Sequence, residues 1–334
     1  MKTYAIIDIE TIPDRKLWNP EVEIEKIRLK DGKAPTKGEM EFLKVALEKI
    51  SKSEPLHRDD LEKVLDITVR NDGEDVISEA TLAIKALVDK LPKEKTQIAP
   101  TYAQCPIVIG ILWIGEDLSI KKLGSICASQ HPNPDGKGYN EKKLLSAWSD
   151  FIQDKAPIIV DWNGRGFDLP ALALRSFRHG VPMGWYYNKS RDYRYRYSDE
   201  PHLDLFDYLS DFGSVNKTGF KLDNFAKSIG LPGKYGVDGS MVESMYFEGK
   251  IADIEKYCLT DVIQTAFVMY RHFYIRTKIT LEAYQLGVTT LLDQISKDGR
   301  FGDFLRLVDD KTLLLADANE APKEPATENV EKAS

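Results

Sequence analysis

The sequence opens with a short apolar run that leads directly into acidic side chains. Residues 4–7 are apolar, Asp8 and Glu10 follow two apart, and Pro13 interrupts the pattern. Four consecutive apolar residues bounded by a turn signal predict a buried strand. Because side chains two apart in a strand share a face, Asp8 and Glu10 are expected side by side. Two carboxylates there favour a bound divalent cation, and the alternative is a solvated strand end.

Between residues 14 and 97 the pattern changes to that of amphipathic helices. Apolar residues recur three or four apart in the segments 37–51, 56–70 and 76–91. This spacing predicts helices with one apolar face. We therefore expect a helical insertion after the first strand that is separate from the main sheet. The pattern does not indicate what the insertion does.

Strand patterns return after residue 100 and then alternate with helical ones. The apolar runs 107–114 and 119–126 flank a short polar turn and predict an antiparallel pair. A helix capped by Asn140 is predicted at 140–154, followed by a strand at 156–163. Further helices are predicted at 168–180, 221–229, 240–248, 251–275 and 280–296. The alternation predicts a mixed α/β sheet flanked by helices.

Composition narrows the class of protein. Of 334 residues, 42% are hydrophobic and 30% charged, which suits a globular core, and no apolar run is long enough for a membrane span. The first residues do not resemble a signal peptide, and three scattered cysteines are typical of a reduced, cytoplasmic protein. The net charge of −7 does not indicate a nucleic-acid binder. Residues 309–334, with seven acidic and three basic side chains, are expected to form a disordered tail.

Polar residues at two further places can meet the first pair of acids. Residues 163–168 follow a predicted strand and end in Asp168. In open α/β sheets, ligands bind at the carboxyl ends of strands, so Asp168 is expected near the first strand's acids if the two strands are neighbours. On the predicted helix at 251–275, Tyr257 and Asp261 are four apart and share one face. Their phenol and carboxylate can serve the same site.

Taken in order, these motifs resemble those of the 3′→5′ exonucleases of the DEDD superfamily, which have an RNase H-like fold. The family's Asp-x-Glu-Thr stands at residues 8–11, its Asn followed by Phe-Asp at 163–168, and its Tyr-x-x-x-Asp at 257–261. One subtype has a histidine five residues before the last acid, where this chain has Lys256, whereas the other has a tyrosine four before it, here Tyr257. The chain is therefore similar to the tyrosine subtype and to the proofreading domain of family-B DNA polymerases.

The resemblance implies a metal-dependent exonuclease domain at residues 1–308 that trims single-stranded or frayed DNA from the 3′ end and releases nucleoside 5′-monophosphates. It implies two divalent cations, Mg²⁺ or Mn²⁺, which prefer oxygen ligands. The catalytic carboxylates that would hold them are Asp8, Glu10, Asp168 and Asp261. Tyr257 would orient the attacking water. The residues that would seat the 3′-terminal nucleotide are Thr11, Asn163 and Phe167.

Residues 184–208 interleave aromatic and basic side chains, among them Arg194 and Arg196. Aromatic rings stack on bases and arginines contact phosphates, so this stretch favours contact with single-stranded nucleic acid. The alternative is a hairpin with one packed and one solvated face. A protein partner, if there is one, is expected at the helical insertion or the acidic tail.

Several polar residues have a second interpretation. Asp168 stands where a helix N-cap belongs, and capping can coexist with metal binding; the position alone favours capping, whereas the set of acids favours the metal. Asp161 shares a predicted strand face with Asn163 and competes as a metal ligand, although it does not match the motif. Asp204 is expected to cap the helix after it, with contact to the site as the alternative. Lys234 lies in a Gly-rich turn and is either exposed or able to reach a phosphate.

The function also has two alternatives. The motifs do not distinguish a ribonucleotide with its 2′-hydroxyl from a deoxyribonucleotide, so an exoribonuclease fits them as well as a deoxyribonuclease does. An inactive nucleic-acid-binding module with the same fold is the second alternative. The presence of all four acids together with Tyr257 argues against it, because a site that has lost its activity is expected to lose one of them.

Overall fold

The computed structural model describes residues 2–18, 36–51, 60, 63–68, 99–215, 219–234 and 239–316. The chain divides into two compact units, of which one comprises Met1–Pro13 with Thr101–Ser334 and the other Asp14–Pro100. The helix predicted at 76–91 lies outside the described residues, as does the tail beyond residue 316.

In the unit Asp14–Pro100, the described helix is α1, Lys37–Ser51, as predicted. Thr36 and Glu39 form a capping box, in which each side chain bonds to the backbone N–H of the other residue. Of the helix predicted at 56–70, residues 63–68 are described and helical. The apolar faces of the two helical segments share a small buried cluster of Leu43, Ala46, Val64 and Ile67.

A five-stranded mixed sheet forms the centre of the larger unit. Its strands are β1 Thr3–Pro13, β2 Gln104–Gly115, β3 Ile120–Cys127, β4 Ile158–Asp161 and β5 His202–Asp204. In space their order is β3-β2-β1-β4-β5, with β2 antiparallel to both neighbours and the β1–β4 and β4–β5 pairs parallel. The first four strands are confirmed. The hairpin considered for residues 184–208 is not formed, because the strand there, β5, pairs parallel to β4.

The described helices of this unit follow the predicted pattern. They are α2 Glu141–Lys155, α3 Asp168–His179, α4 Leu205–Leu209, α5 Leu222–Ser228, α6 Val242–Phe247, α7 Ile251–Ile275, α8 Leu281–Ser296, α9 Gly302–Arg306 and α10 Asp310–Leu314. Asn140 caps α2 as predicted, accepting a hydrogen bond from the N–H of Lys143 at 3.0 Å. The short α10 lies in the stretch assigned to the disordered tail, and it is ordered by its buried Leu313.

Helices cover both faces of the sheet, and the alternation along β1 separates the two layers. Ile6 packs on one face in a cluster that includes Phe267 of α7 and Val288 of α8. Ile7 points the other way and packs with Trp148 of α2 and residues of α3. The predicted architecture, a mixed α/β sheet flanked by helices in the RNase H-like arrangement, is confirmed.

Helix α7 packs directly on Gly110 of β2, the residue opposite Asp8 in β1. A Cβ at Gly110 would lie 2.9 Å from the Sγ of Cys258 and 3.0 Å from Cγ2 of Val262. Both side chains belong to α7 and are fully buried. The missing side chain of Gly110 therefore lets α7 carry Asp261 close to the acids of β1.

Replacing Gly110 with alanine is expected to destabilise this unit by about 1 to 3 kcal/mol, because it overpacks the contact between helix and sheet. Gly124→Ala is the matched control, since a Cβ at Gly124 on β3 would meet only the end of Lys122, at 3.7 Å. Urea unfolding followed by circular dichroism measures both variants against the wild type. Equal unfolding free energies for Gly110→Ala and the wild type would contradict the packing argument.

Candidate active site

Strand β1 presents Asp8 and Glu10 on the face where Ile6 contacts α7. Asp8 is half-buried and Glu10 only 8% exposed, and one carboxylate oxygen of each lies within 4.8 Å of the other. The pairing of β1 with β2 shifts register between Glu10 and Thr11, an irregularity of the kind that re-aims side chains next to functional sites. Beyond the shift, the Thr11 hydroxyl donates to Oε1 of Gln104 at 2.8 Å.

Asp168 reaches the same place from the neighbouring strand. The pairing of β1 with β4 ends at Ile6 and Val160, and α3 begins beyond this point with Asp168, which is 6% exposed. Its carboxylate accepts a hydrogen bond from the backbone N–H of Ile9 in β1. The N-cap of α3 is Phe167, whose side chain makes no capping hydrogen bond. Asp168 is therefore the first residue of α3 and not its N-cap, and its carboxylate also accepts from its own backbone N–H.

Helix α7 contributes a phenol, a thiol and a carboxylate. The Tyr257 hydroxyl donates to the carboxylate of Asp261, so these two side chains share one helix face as predicted. Gln264 Nε2 donates to Oδ1 of Asp261 at 3.2 Å. The thiol of Cys258 donates to the backbone oxygen of Asp8 at 3.3 Å. This last bond ties α7 to β1 within the site.

The four predicted acids act on one another electrostatically. Burial raises the pKa of Asp8 well above its usual range, and repulsion from the other three, Glu10, Asp168 and Asp261, raises it further. Burial also raises the pKa of Asp168, and it raises that of Asp261 to about 6. The charges of Asp168 and Asp261 thus act on Asp8, and in the part of the chain that the structure describes the ligand atoms of Asp8, Glu10 and Cys258 lie within 4.8 Å of one another. The carboxylate oxygens of these acids fit hard divalent cations, whose charge would relieve the repulsion.

Lys234 belongs to this site although the sequence ranks it as an exposed turn residue. Its Nζ lies 6.0 Å from the ring centroid of Tyr257, and its charge lowers the pKa of Asp261 against the effect of burial. Gly233 before it has a φ of 71°, and a Cβ there would lie 2.7 Å from the backbone oxygen of Asp223. The Lys234 N–H donates to Oδ1 of Asp223. The only signal in the sequence is a Gly-Lys pair, which does not reveal where the side chain points.

Asp161 and Asp204 both bond to the loop 163–167. The carboxylate of Asp161, the competing ligand candidate, lies 2.7 Å from Nε2 of the buried His202, and burial raises the pKa of Asp161 to about 7. Asp204 caps α4 as predicted, and it also accepts a hydrogen bond from the N–H of Asn163. The side chain of Asn163 is exposed.

The arginines predicted to contact nucleic acid pair with acids near them. Nε of Arg194 lies 3.0 Å from Asp192, and Nη2 of Arg196 lies 2.5 Å from Asp207. Phe167, another predicted substrate residue, is half-buried against the apolar cluster that contains α2. Contact of these three side chains with a substrate stays a prediction.

In EDTA, the raised pKa values make the folded protein bind more protons than the unfolded chain as the pH rises from about 4 through the raised values, of which that of Asp261 is about 6. The contribution of these acids to the unfolding free energy therefore falls as the pH rises through that range. Asp8→Asn removes one of the repelling charges. The variant is expected to be more stable than the wild type at pH 8 by about 0.5 to 2 kcal/mol, with the difference vanishing towards pH 4.

Urea unfolding from pH 4 to pH 8 measures this difference. Asp253→Asn, which changes an acid in the exposed first turn of α7, is the control and is not expected to gain stability. In excess Mn²⁺ the order of wild type and Asp8→Asn should reverse, because the cation stabilises the intact set of carboxylates. A difference between them that does not change with pH would contradict the electrostatic argument.

The chain is similar to known proteins in fold and in sequence. Among solved structures, the chain is similar to the family B DNA polymerase from the hyperthermophilic archaeon Pyrobaculum calidifontis, with 16% identity and a TM-score of 0.41 over 66% of this chain and 25% of that one. The chain thus spans a quarter of that polymerase's length. No curated protein matches the sequence. Residues 96–307, more than half of the chain, match the family described as a predicted 3′-5′ exonuclease related to the exonuclease domain of PolB. The chain belongs to this exonuclease family.

Proposed function

We propose that the protein is a metal-dependent 3′→5′ exonuclease that acts on single-stranded or frayed DNA ends. Membership of a predicted exonuclease family supports the reaction class. The observation that carries the proposal is the approach of acids from β1, α3 and α7 to Asp8, whose pKa is raised well above its usual range by burial and then by the charges of Glu10, Asp168 and Asp261.

The four carboxylates would hold two divalent cations, Mg²⁺ or Mn²⁺. Asp8, Glu10 and Asp261 would bind one cation, Asp8 would bridge to the other, and Asp168 would hold that second cation. When bound, such cations activate water and stabilise the negative oxygens of the phosphate. The oxygen ligands that these acids offer support this assignment, and Glu10 and Asp168 are buried.

The phenol of Tyr257 would orient the attacking water. It is held beside the carboxylate of Asp261 by their hydrogen bond, and at 7% exposure it has little freedom to move. Lys234 adds a positive charge next to this ring, which favours the approach of the phosphate. Water would attack the phosphorus of the last phosphodiester bond, the 3′-oxygen of the preceding nucleotide would leave, and a nucleoside 5′-monophosphate would be released.

Thr11, Asn163 and Phe167 would seat the 3′-terminal nucleotide, and Arg194 and Arg196 would contact the strand further from the end. Arg194 is exposed, so a phosphate can replace or share its ion pair with Asp192. An exoribonuclease stays the alternative, since none of these groups is assigned to the 2′-position.

Within the described ranges, no helix combines the length and the apolar character that a membrane span needs.

Incubating a 5′-labelled single-stranded DNA with the protein and Mn²⁺ is expected to give a ladder that shortens from the 3′ end. Asp8→Asn and Asp261→Asn should each reduce the rate by at least about a hundredfold, because each removes a charge from the cation site. Asp253→Asn, eight residues before Asp261 on the exposed side of α7, should leave the rate unchanged. Gel electrophoresis of timed samples measures all four proteins.

Each other outcome of this assay has a definite meaning. Internal cuts would exclude an exonuclease, and undiminished shortening by Asp8→Asn would exclude the proposed site. A matched RNA oligomer tested in parallel decides between deoxyribonuclease and exoribonuclease. Tight binding of the oligomer without any shortening would favour the inactive nucleic-acid-binding module.

Tyr257→Phe is expected to slow single-turnover cleavage by about 10- to 100-fold, because the hydroxyl that orients the water is lost while the ring stays packed. The Mn²⁺ concentration for half-maximal rate should change little, since the tyrosine is not assigned as a ligand. Tyr246→Phe is the control, because Tyr246 packs against the same apolar cluster as Tyr257. A parallel loss of rate and of Mn²⁺ affinity in Tyr257→Phe would mean that the tyrosine is structural.

A further inference from the structure

Two carboxylates hold three consecutive backbone N–H groups in the loop between β4 and α3. Asp204 accepts from the N–H of Asn163 at 2.9 Å and from that of Arg165 at 3.1 Å. Asp161 accepts from the N–H of Gly164 at 3.1 Å. Asp161 and Asp204 are paired across β4 and β5 and are each 1% exposed. The ends of two neighbouring strands thus fix the start of the loop.

The loop begins in an uncommon backbone conformation. Asn163 has a φ of 65°, in the left-handed region that asparagine adopts more readily than most L-residues. Space is also restricted after it. A Cβ at Gly164 would lie 1.9 Å from Oδ2 of Asp161, and one at Gly166 would lie 2.6 Å from Oδ1 of Asn163. The loop is therefore packed closely, with no room for a side chain at Gly164 or Gly166.

The side chain of Arg165 ties the same loop to the edge of the sheet. Its guanidinium donates to the backbone oxygens of Tyr193 at 3.0 Å and His202 at 2.7 Å. It also forms an ion pair with Asp207 at 3.4 Å. Backbone and side-chain contacts together leave the loop little freedom, while the side chain of Asn163 stays exposed.

We propose that Asp204, with the support of Asp161, is a positioning residue that aims Asn163 at the 3′-terminal nucleotide and so sets the affinity for the strand end. Asp204 acts through two backbone N–H groups and does not touch the substrate. This inference rests on the proposed function, in which Asn163 seats that nucleotide. It adds to the site two acids that are neither metal ligands nor parts of the three motifs.

A double-mutant cycle tests the coupling between Asp204 and Asn163. In an Asp8→Asn background, which prevents hydrolysis, the Kd for a 5′-fluorescein-labelled single-stranded DNA is measured by anisotropy in Mn²⁺. Asp204→Ala and Asn163→Ala are each expected to weaken binding by about tenfold, and the double variant by no more than either alone, because both remove one contact. A double variant about a hundredfold weaker would mean that the two residues act independently and would overturn the inference.

Asp204 also caps α4, so the loss of a cap must be separated from the loss of the loop contacts. Thr280→Ala removes the N-cap of α8 and should leave the Kd unchanged. Asp204→Asn keeps an acceptor oxygen and should recover part of the affinity. Backbone amide exchange at residues 163–165 should accelerate in Asp204→Ala but not in Thr280→Ala. Unchanged exchange in Asp204→Ala would overturn the inference without any use of DNA.

The proposed function and the positioning role can fail separately. If the wild type neither shortens nor binds DNA, the proposed function fails. The role of Asp204 in aiming Asn163 at a nucleotide then fails as well. Amide exchange still reports whether Asp204 holds the loop. If the wild type shortens DNA but Asn163→Ala and Asp204→Ala bind it normally, the exonuclease assignment stands and the positioning role is overturned.

Discussion

Repulsion among carboxylates is the constraint on which the rest of this structure depends. Burial raises the pKa of Asp8, and the charges of acids from β1, α3 and α7 raise it further. Such groups push their elements apart, so contacts elsewhere must hold β1, α3 and α7 together. The apolar clusters on the two faces of the sheet supply those contacts, with Ile6 in one and Ile7 in the other. The site is thus a local destabilisation that the core sustains and that a bound cation would remove.

The contact between α7 and Gly110 shows how the core reaches the site. Helix α7 is 25 residues long, and its second half packs Phe267 and Tyr270 into the core. Its first half carries Asp261 to the acids of β1, where Cys258 lies against Gly110 and bonds to the backbone of Asp8. Because one rigid helix serves both regions, its packing on the core sets the position of Asp261. A side chain at Gly110 would therefore disturb both the packing of α7 on the sheet and the position of Asp261.

Periodicity in the sequence predicted most of this fold, because it reports which face of an element is buried. The periodicity therefore predicted β1, α7 and the shared helix face of Tyr257 and Asp261. It could not give β5, which has three residues and no period of its own. Nor could it give contacts between distant residues, such as the bond of Asp204 to the backbone of Asn163, 41 positions away. The direction of the Lys234 side chain also depends on contacts between distant residues, so periodicity could not predict it.

The acids at the ends of β4 and α3 show why the sequence alone cannot sort ligands from supports. Asp161 and Asp168 are seven positions apart and both nearly buried. Asp161 meets the N–H of Gly164 and the ring of His202, which are hydrogen-bonding partners. Asp168 also accepts a hydrogen bond, from the N–H of Ile9, but its charge acts on Asp8 together with the charges of Glu10 and Asp261. Acids that repel one another favour a cation between them, whereas the donors around Asp161 satisfy it within the protein. The neighbours of each acid, which only the folded chain specifies, therefore separate the support of the loop from the candidate metal ligand.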